Sequence, residues 1–598
     1  MTIGERRAKL EEIARGNGLG GAYTATLTRL KAQNGNKSRL GLQALMWVLC
    51  SERPLRAEEI CHALGVEIGS ADLDSKNVPS IRILLASCLG LLTVEESSST
   101  VQLVHFTLRE YLTSDPTILH SSHSTIAEVC LTYLNFESVR NLSPTLDSAP
   151  ATMPFLEYAS LYWGDHAKRG MTEMVKTLAL KLLDRFDEHI SAKLLLLHDF
   201  GWLLNSSSKA GGATGFTGLH GVAFLGIAEM VVPVLEMEKC DVNAADCTGR
   251  TALIWVAQRG PEEIVRILLE RKDINPSQTD TKYDRTPLSY AAESGHEGIV
   301  KILLERKDVN PDQADTRYGQ TPLSLAAQNG HEGVVNILLG RKDVNPNQAD
   351  PKHGWTPLSL AALRGHERVV KTLLERKDVN PNQADTECGW PPLSWATLRG
   401  HEGIVKILLE RKDVNPNQVD TEYVQNPLSL AAEIGHEGIV KILLERADVS
   451  PDLADTYYGR TPLSWAARRG HEGIVKTLLE RKDVNPNQVD IEYGWTPLAW
   501  ATRNGHEGVV EILLQQNDVH PAMPDNENQT PLSLALSEGH DGVARILLEW
   551  ENFNSDKVNH RGPASPSSPD NNLPATEHPS TTGSIFSNVI DRYWNWRR

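Results

Sequence analysis

The dipeptide His-Glu recurs along the second half of the chain and is the first pattern that could support chemistry. Its histidines are His296, His331, His366, His401, His436, His471 and His506. Zinc metalloproteases carry a second histidine four residues after the first, because two imidazoles one helical turn apart can share a metal ion. Valine occupies that position every time, as Val300 does after His296. A structural role at the start of a helix is therefore the prediction.

A calcium loop is the second candidate. Asp378, Asn380 and Asn382 place oxygen ligands at alternate positions, as such loops do. The sixth position holds Gln383 instead of the required Gly, and the twelfth holds Gly389 instead of Glu. Asn and Pro in this order also favour turns, and a turn is the interpretation we adopt.

The cysteines offer no better site. The chain has 7 of them, none in a Cys-x-x-Cys pair, and Cys240 and Cys247, which share a loop, bracket no histidine. This pattern supports neither a zinc ribbon nor a disulfide framework. The sequence also lacks the Gly-x-Ser-x-Gly turn of serine hydrolases. We therefore predict no catalytic residue, no metal and no cofactor, and expect that the chain is not an enzyme.

Composition narrows the class of protein further. The 598 residues carry a formal net charge of −17, which argues against nucleic acid as the partner. The N-terminus is charged and has no apolar signal-peptide core. The longest mostly apolar run, residues 83–94, is shorter than the roughly 20 residues that span a bilayer. We expect an intracellular protein without a transmembrane segment, located in the cytoplasm or, as the alternative, the nucleus.

A repeat of 35 residues dominates the chain. A Leu-Leu pair recurs at this interval from Leu268-Leu269 to Leu513-Leu514 and appears once more at Leu547-Leu548. In the unit that starts at Thr461-Pro462, these two residues begin a short helix, Gly470 ends it, and Ile474 to Leu479 form the apolar stripe of a second helix. Helices this short are marginal alone, so each unit must bury its stripe against the next, which predicts a solenoid.

The order Thr-Pro-Leu-x-x-Ala-Ala-x-x-Gly-His-x-x-(Ile/Val)-Val-x-x-Leu-Leu, followed by Asp-Val-Asn, resembles the ankyrin repeat over more than half of the chain. The resemblance implies stacked helix pairs with projecting fingers, and a concave face of fingers and first helices that binds protein partners. Serine replaces the usual His at Ser324 and its equivalents, and Arg-Lys replaces the usual Gly-Ala before Asp-Val-Asn. The period of 35 exceeds the family's period of about 33, so we expect altered finger geometry on an unchanged fold.

Residues 39–115 predict a winged helix. Helical patterns at 39–50, 54–64 and 80–89 precede a strand–turn–strand over 91–106 and a further helix. DNA reading is the first use of such domains by analogy. These residues hold fewer Lys and Arg than Asp and Glu, and Glu58 and Glu59 lie on the second helix. A structural role is therefore the preferred interpretation.

Four segments of this N-terminal third, 52–64, 103–112, 126–134 and 154–164, resemble the region after the nucleotide-binding domain in fungal NACHT–ankyrin proteins of the NLR-like class. In that family an effector module, a NACHT ATPase, this winged-helix connector and a sensor repeat array follow one another. The phosphate-binding pattern Gly-x-x-x-x-Gly-Lys-Ser/Thr does not occur in the chain. The resemblance therefore implies a connector and a sensor without the ATPase.

These patterns divide the chain into five parts. They are a helical N-terminal segment (1–38), a winged-helix-like domain (39–115), a helical connector (116–216), an ankyrin array (217–552) and a disordered tail with a short terminal helix (553–598). The ten units of the array are 217–250, 251–285, 286–320, 321–355, 356–390, 391–425, 426–460, 461–495, 496–529 and 530–552. The aromatic and basic residues 585–598 could bind a partner or a membrane surface, or fold back as a cap.

Residues that vary between near-identical units mark positions where packing does not determine the residue type. They lie before each Thr-Pro-Leu and before each Gly-His, which the ankyrin resemblance puts on the partner-binding face. The predicted partner-binding residues are Trp355, Arg364, Trp390, Arg399, Arg460, Arg468, Arg469, Trp495 and Arg503. Trp and Arg are enriched at binding hot spots. The alternative is that these tryptophans pack on neighbouring fingers, whereas Trp395, Trp465 and Trp500 replace leucines and are expected in the core.

The sequence as a whole predicts a mainly α protein in which a winged-helix and helical connector precedes an ankyrin solenoid. Its predicted function is a non-catalytic scaffold or sensor that binds protein partners. The alternative is a truncated member of the NACHT-type signalling ATPases, similar to heterokaryon-incompatibility proteins, that lacks its ATPase. The identity of the partner and the oligomeric state stay open.

Overall fold

The structure of the protein, a computed structural model, describes residues 18–558 apart from 114–121, 145, 147, 205–214, 239 and 422–424. It is mainly helical. The first elements are α1 (Gly18–Lys31), α2 (Gly35–Cys50), α3 (Ala57–Gly65), α4 (Ile81–Ser87), β1 (Leu92–Val94), β2 (Val101–Leu103) and α5 (Phe106–Thr113).

Helix α2 is the centre of this first domain. It contacts α1, α3, α4 and β2, and its Leu45 and Trp47 are buried. Strands β1 and β2 pair antiparallel, with Leu92 opposite Leu103. The predicted winged-helix order is confirmed, except that Pro54 lies before the second helix, in an extended segment, and α3 begins at Ala57.

A buried carboxylate ties the start of α3 to the segment before it. Both oxygens of Glu59 accept hydrogen bonds of 2.8 Å from the Arg53 guanidinium, and Oε2 accepts a bond of 2.7 Å from the backbone N–H of Arg56. Glu59 is fully buried, whereas its neighbour Glu58 is exposed. Glu59 is therefore a structural residue of this helix and not part of its charged surface.

The connector consists of α6 (Ser122–Leu134), α7 (Glu137–Arg140), α8 (Leu156–Arg169), α9 (Glu173–Leu183) and α10 (Ile190–Leu204). Buried aromatic rings join it to both neighbours. Phe155 packs edge-on against Trp47 of α2 at 5.5 Å and against Tyr133 at 5.2 Å. Phe186 contacts Phe216, just before the first repeat unit, at 6.2 Å. As a result, buried apolar residues from Leu27 to Leu547 form one continuous core.

Each predicted repeat unit contains two helices. The first helices are α11 (Gly218–Leu225), α13 (Ala252–Arg259), α15 (Pro287–Ser294), α17 (Pro322–Asn329), α19 (Pro357–Arg364), α21 (Pro392–Leu398), α23 (Pro427–Ile434), α25 (Pro462–Arg469), α27 (Pro497–Arg503) and α29 (Pro531–Glu538). The second helices are α12 (Val231–Leu235), α14 (Glu262–Leu269), α16 (Glu297–Leu304), α18 (Glu332–Leu339), α20 (Glu367–Glu375), α22 (Glu402–Glu410), α24 (Glu437–Leu444), α26 (Glu472–Leu479), α28 (Glu507–Leu514) and α30 (Asp541–Val558). First helices stack on first helices and second helices on second helices, which makes two layers.

Local signals set the ends of the first helices as the sequence predicts. In the fourth unit, the Thr321 side chain accepts a hydrogen bond from the Ser324 N–H, and Pro322 follows in the first turn. Gly330 ends the helix with a φ of 79°, a left-handed conformation that suits glycine. A polar cap and a glycine set the two ends of the first helix in most units, whereas α21 follows Pro391 without a side-chain cap.

Most of the recurrent histidines join neighbouring units. His366 precedes α20, and its Nε2 donates a hydrogen bond of 2.9 Å to the Gln328 carbonyl oxygen in the unit before. The same bond is made by His296, His331, His471, His506 and His540. The predicted structural role of the His-Glu pattern is thereby confirmed.

The arginines that depart from the ankyrin pattern also bind the preceding unit. Arg376 stands where the family usually has a small residue, and its Nη1 donates a bond of 3.2 Å to the Leu339 carbonyl oxygen at the end of the preceding α18. Asp378 holds the same guanidinium, with Nη2 at 2.5 Å from Oδ2. A cation at a helix C-terminus satisfies free carbonyl groups and opposes the helix dipole.

The Asn-Pro-Asn turn forms a further bridge between units. The side chain of Asn382 accepts a bond of 2.8 Å from the Asn415 N–H and donates one of 2.6 Å to the Asp413 carbonyl oxygen. Asn380 in turn accepts from the Asn382 N–H. The side-chain oxygens of Asn380 and Asn382 therefore accept from the backbone, and those of Asp378 accept from Arg376, which agrees with the turn interpretation.

The last helix, α30, extends to Val558, beyond the predicted end of the array at 552. The remaining part of the predicted tail, including 585–598, and residues 1–17 of the predicted N-terminal segment lie outside the described residues. Among the helices that are described, none combines the length and the apolar character needed to cross a membrane.

The contacts between neighbouring units predict unequal losses of stability from two glycine substitutions. A Cβ at Gly330 would lie 2.6 Å from Nδ1 of His366, whereas a Cβ at Gly539 meets nothing within 4 Å. Both residues have a positive φ, so Gly539→Ala should cost about 1 kcal/mol of strain alone. Gly330→Ala should cost about 3 kcal/mol, because the His366 ring must also move. Urea unfolding of both variants tests this, and equal midpoints would contradict it.

The buried Glu59 predicts a pH-dependent contribution to stability. Burial raises the pKa of its carboxyl, but the hydrogen bonds from Arg53 and Arg56 outweigh burial and leave the pKa below its ordinary value. A carboxyl whose pKa is lowered by folding stabilises the fold above its unfolded pKa of about 4.3, and loses that effect as the pH falls through its folded value. Glu59→Gln should therefore lower the melting temperature at pH ~7.

The matched control is Glu58→Gln, an exposed carboxyl on the same helix. It should leave the melting temperature nearly unchanged at each pH. The deficit of Glu59→Gln should shrink as the pH falls below about 4. A deficit that stays constant across this range would show that the charge of Glu59 is not what stabilises α3.

Candidate functional site

The predicted partner-binding residues divide into a buried and an accessible group. Trp355, Trp390, Arg460 and Trp495 are buried, with exposed fractions of 4%, 6%, 3% and 6%. The accessible group is Arg364, Arg399, Arg468, Arg469 and Arg503, at the ends of the first helices α19, α21, α25 and α27. We call the surface that carries these five arginines the first-helix face. Their binding role stays a prediction.

The tryptophans of the buried group pack on neighbouring side chains. Trp355 stacks on His353 at 4.8 Å and meets the edge of Trp395 at 5.9 Å, and Trp390 meets the same Trp395 at 4.8 Å. Trp495 lies 4.6 Å from Trp500. These contacts match the alternative interpretation, in which the tryptophans pack within the array. Trp395, Trp465 and Trp500 are themselves buried, as expected of core positions.

Arg460 forms an ion pair inside the array. Its Nε lies 3.7 Å from Oδ2 of Asp490, and its Nη2 lies 3.2 Å from Oε2 of Glu492. Its guanidinium also lies 4.1 Å from the Tyr458 ring and 4.3 Å from the Trp500 ring. Since these groups surround it, Arg460 is a packing residue of the array and is not exposed to a partner.

Two of the accessible arginines bind carboxylates of the adjacent unit. Arg469 donates to Oε1 of Glu433 at 2.7 Å, and Arg503 pairs with Oε1 of Glu538 at 2.6 Å. Their side chains remain 36% and 41% exposed, so both can still reach a partner. Arg399 is exposed and Arg364 is partly exposed, on units nearer the N-terminus that the unit 426–460 separates from that of Arg469.

Arg468 is held only by aromatic rings. Its guanidinium lies 5.3 Å from the Trp465 ring and 5.1 Å from the Trp500 ring. Within the described part of the chain, this guanidinium makes no hydrogen bond and no ion pair. Burial, followed by the neighbouring Arg460 and Arg469, lowers the pKa of Arg468 below the ordinary value for arginine.

A row of cations that was not predicted from the sequence lies on the fingers, the loops that lead into each first helix. Arg317 lies between two tyrosines, 5.0 Å from the Tyr283 ring and 4.8 Å from the Tyr318 ring. Lys282 and Lys352 flank it, at 5.1 Å from Tyr283 and 5.6 Å from Tyr318. The three cations are exposed and occupy equivalent positions of consecutive units. Variation at this position between units was the available signal.

The sign of this row reverses along the array. Among the described residues, the equivalent positions in later units hold Glu387, Tyr457, Glu492 and Glu527, which are also exposed. A partner that lies along the fingers therefore meets positive charge on the earlier units and negative charge on the later ones. Complementary charges of this kind fix orientation more than they add affinity.

A group of possible metal ligands lies where α2, α6 and α8 meet. In the described part of the chain, Glu52, His123 and His166 offer ligand atoms within 4.8 Å of one another. The two Nδ1 atoms are 2.9 Å apart, and Nε2 of His166 lies 2.9 Å from the Tyr158 hydroxyl, so hydrogen bonds engage both nitrogens of His166. Arg169 pairs with Glu52. Burial, then His123 and Arg169, lowers the pKa of His166 to about 3. The ion pair of Glu52 with Arg169 joins the winged helix to the connector.

Comparison with known families agrees with both halves of this architecture. The family model of ankyrin repeats (3 copies) matches overlapping segments at 166–280, 219–315, 275–350, 341–420, 412–490 and 482–559. The model of the GPI inositol-deacylase winged helix domain matches residues 29–127. The chain has no match among curated proteins.

The two groups of predicted residues should differ in their effect on stability. Arg460→Ala should cost about 3 kcal/mol, because it leaves the buried Asp490 without its cation. Arg399→Ala removes an exposed side chain and should change stability by less than about 0.5 kcal/mol. Urea unfolding of the full chain measures both, and similar midpoints would contradict the burial of Arg460.

Proposed function

The chain belongs to the ankyrin-repeat family, and from this premise we propose that it is a non-catalytic scaffold or sensor that binds a protein partner through its first-helix face. The observation that carries the proposal is the row of five accessible arginines on this face, at the ends of four first helices. Arginine is enriched among the residues that dominate binding energy at interfaces. The array spaces these residues along one rigid surface, which suits an extended partner.

Two buried tryptophans, Trp495 and Trp500, support this surface. Trp495 lies under Arg503 at 5.0 Å, and Trp500 lies under both Arg460 and Arg468. An arginine that rests on an aromatic ring loses less conformational freedom when it binds, since the ring already limits its positions. The tryptophans are therefore assigned an indirect role in binding.

A second candidate function is a NACHT-type signalling protein whose ATPase is missing from this chain. The winged-helix match at 29–127 favours it, because that domain is the connector of the resemblance described above. Sequencing of the transcript upstream of Met1 tests this candidate: an open reading frame that encodes a phosphate-binding loop supports it, and a stop codon in frame opposes it.

Charge reversal on the first-helix face tests the main proposal. The variant Arg399→Glu/Arg468→Glu changes two accessible residues of the face. The matched control, Lys406→Glu/Lys476→Glu, makes the same charge change on the exposed second helices α22 and α26 of the same units. Partners captured from a lysate by the full chain and identified by mass spectrometry serve as the ligand.

The face variant should bind the captured partner at least about tenfold more weakly, because each buried charge pair across an interface contributes more than 1 kcal/mol. The control should bind as the parent does, and both variants should keep the parent's melting temperature. Equal loss of binding in the two variants would show a general charge effect. Retention of binding by the face variant would refute the role of this face.

A further inference from the structure

Arg468 lacks the carboxylate partner that Arg469 and Arg503 each have on the first-helix face. Arg469 binds Glu433 and Arg503 binds Glu538, whereas the Arg468 guanidinium rests on Trp465 and Trp500 without a carboxylate. Its position near the end of α25 is only partly exposed. A partly buried cation without an anion is unusual, since burial disfavours charge that is not paired.

The carboxylates near Arg468 are already engaged. Glu433 accepts hydrogen bonds from Arg469 and from Nε2 of Gln425. Glu492 pairs with Arg460. Asp490 accepts from Nε1 of Trp500 at 2.9 Å and from the backbone. Asp455 accepts from Nε1 of Trp465 at 3.1 Å. None of these groups can turn to Arg468 without breaking a bond that it already makes.

The surroundings also concentrate positive charge at this point. Arg460 lies over the same Trp500 ring at 4.3 Å, and Arg469 is the next residue in the chain. Both arginines disfavour the positive charge of Arg468 by electrostatic repulsion. Glu433 and Tyr458 favour that charge, but their effect only partly offsets the repulsion. An anion that docks here would gain the attraction of a cation that the fold leaves unsatisfied.

We propose that Arg468 is the receptor for a carboxylate of the protein partner, either an Asp or Glu side chain or a chain terminus. The inference rests on the proposed function and names the chemical group that the first-helix face recognises. The planar guanidinium presents two parallel N–H groups that match a carboxylate, and the indole rings of Trp465 and Trp500 shield the pair from water on one side. Water exclusion strengthens a charge-assisted hydrogen bond.

The setting favours a carboxylate of a protein over a nucleic-acid phosphate. Glu433, Glu492 and Glu538 are close to the neighbouring arginines and would repel a polyanion. The net charge of −17 opposes the approach of nucleic acid as well. A single carboxylate on a polypeptide brings one negative charge and avoids most of this repulsion.

Peptide display on the full chain tests the proposal without knowledge of the natural partner. Two random-peptide libraries are selected on it, one with free C-termini and one with peptides fused at both ends. The expected result is enrichment of Asp or Glu at one position in the second library, or of a free C-terminus in the first, which identifies the source of the carboxylate. Binding of selected peptides is then measured by fluorescence anisotropy.

Arg468→Gln should weaken a selected peptide about tenfold or more, the loss expected for one charge-assisted hydrogen-bonded pair. Arg468→Lys keeps the charge but loses the two-pronged geometry, so it should bind with intermediate affinity. Replacing the peptide's Glu by Gln should cause little further loss of affinity for the Arg468→Gln variant. Lys476→Gln on α26 is the control and should bind as the parent does, and melting temperatures of all variants exclude misfolding.

Three results would overturn the proposal. They are selected peptides without a shared acidic group, acidic peptides that bind Arg468→Gln as well as the parent, and preferential capture of a single-stranded DNA oligonucleotide. Sensitivity to Arg399→Glu separates this inference from the proposed function. If non-acidic peptides bind the parent but not Arg399→Glu, the first-helix face is still a binding surface, but Arg468 is not its carboxylate receptor. Peptides whose binding is unchanged by Arg399→Glu and by Arg468→Gln would contradict both this inference and the proposed function.

Discussion

The interface between consecutive repeat units is the constraint on which the rest of the structure depends. A pair of helices of about eight residues cannot hold itself together in water, so each unit is stable only through its neighbours. Apolar contact supplies most of this stability, and three polar bridges fix its geometry: the His366 imidazole to Gln328, the Arg376 guanidinium to Leu339, and the Asn382 amide to Asp413. Each bridge recurs at equivalent positions of several units, so these units are placed in a similar relation to one another.

This constraint explains why the accessible arginines lie where they do. Stacking constrains the residues on the two apolar sides of each helix pair. The residues just before the glycine that ends each first helix are less constrained, so their type can vary. Arg399 and Arg468 occupy such positions. The residue before each first helix is different, because Arg460 and Trp495 lie between adjacent fingers and must fit both. Variation there therefore reflects packing between fingers, whereas packing constrains the accessible helix ends less.

The repeat fold was predictable from the sequence because its signals are local and recur many times, as Thr321-Pro322 and Gly330 illustrate. The winged helix was predictable in its order, although the start of α3 shifted because Glu59 binds the N–H of Arg56 and fixes the first turn there. The candidate site was predictable only in part. Sequence variation cannot distinguish an arginine that faces solvent from one that pairs with Asp490 on the next finger. That distinction depends on contacts between residues about one repeat apart, which no local pattern contains.

The polar bridges between units end on main-chain oxygens, as at Gln328 and Leu339. Every amino acid supplies such an oxygen, so one unit accepts another whatever side chains it carries on its outer surface. Recombination between two of these near-identical segments would then delete or duplicate a whole unit and still yield a foldable chain. Ligand recognition could diversify rapidly in descent by this route, through changes in the number and order of units, while the architecture that carries it stays the same.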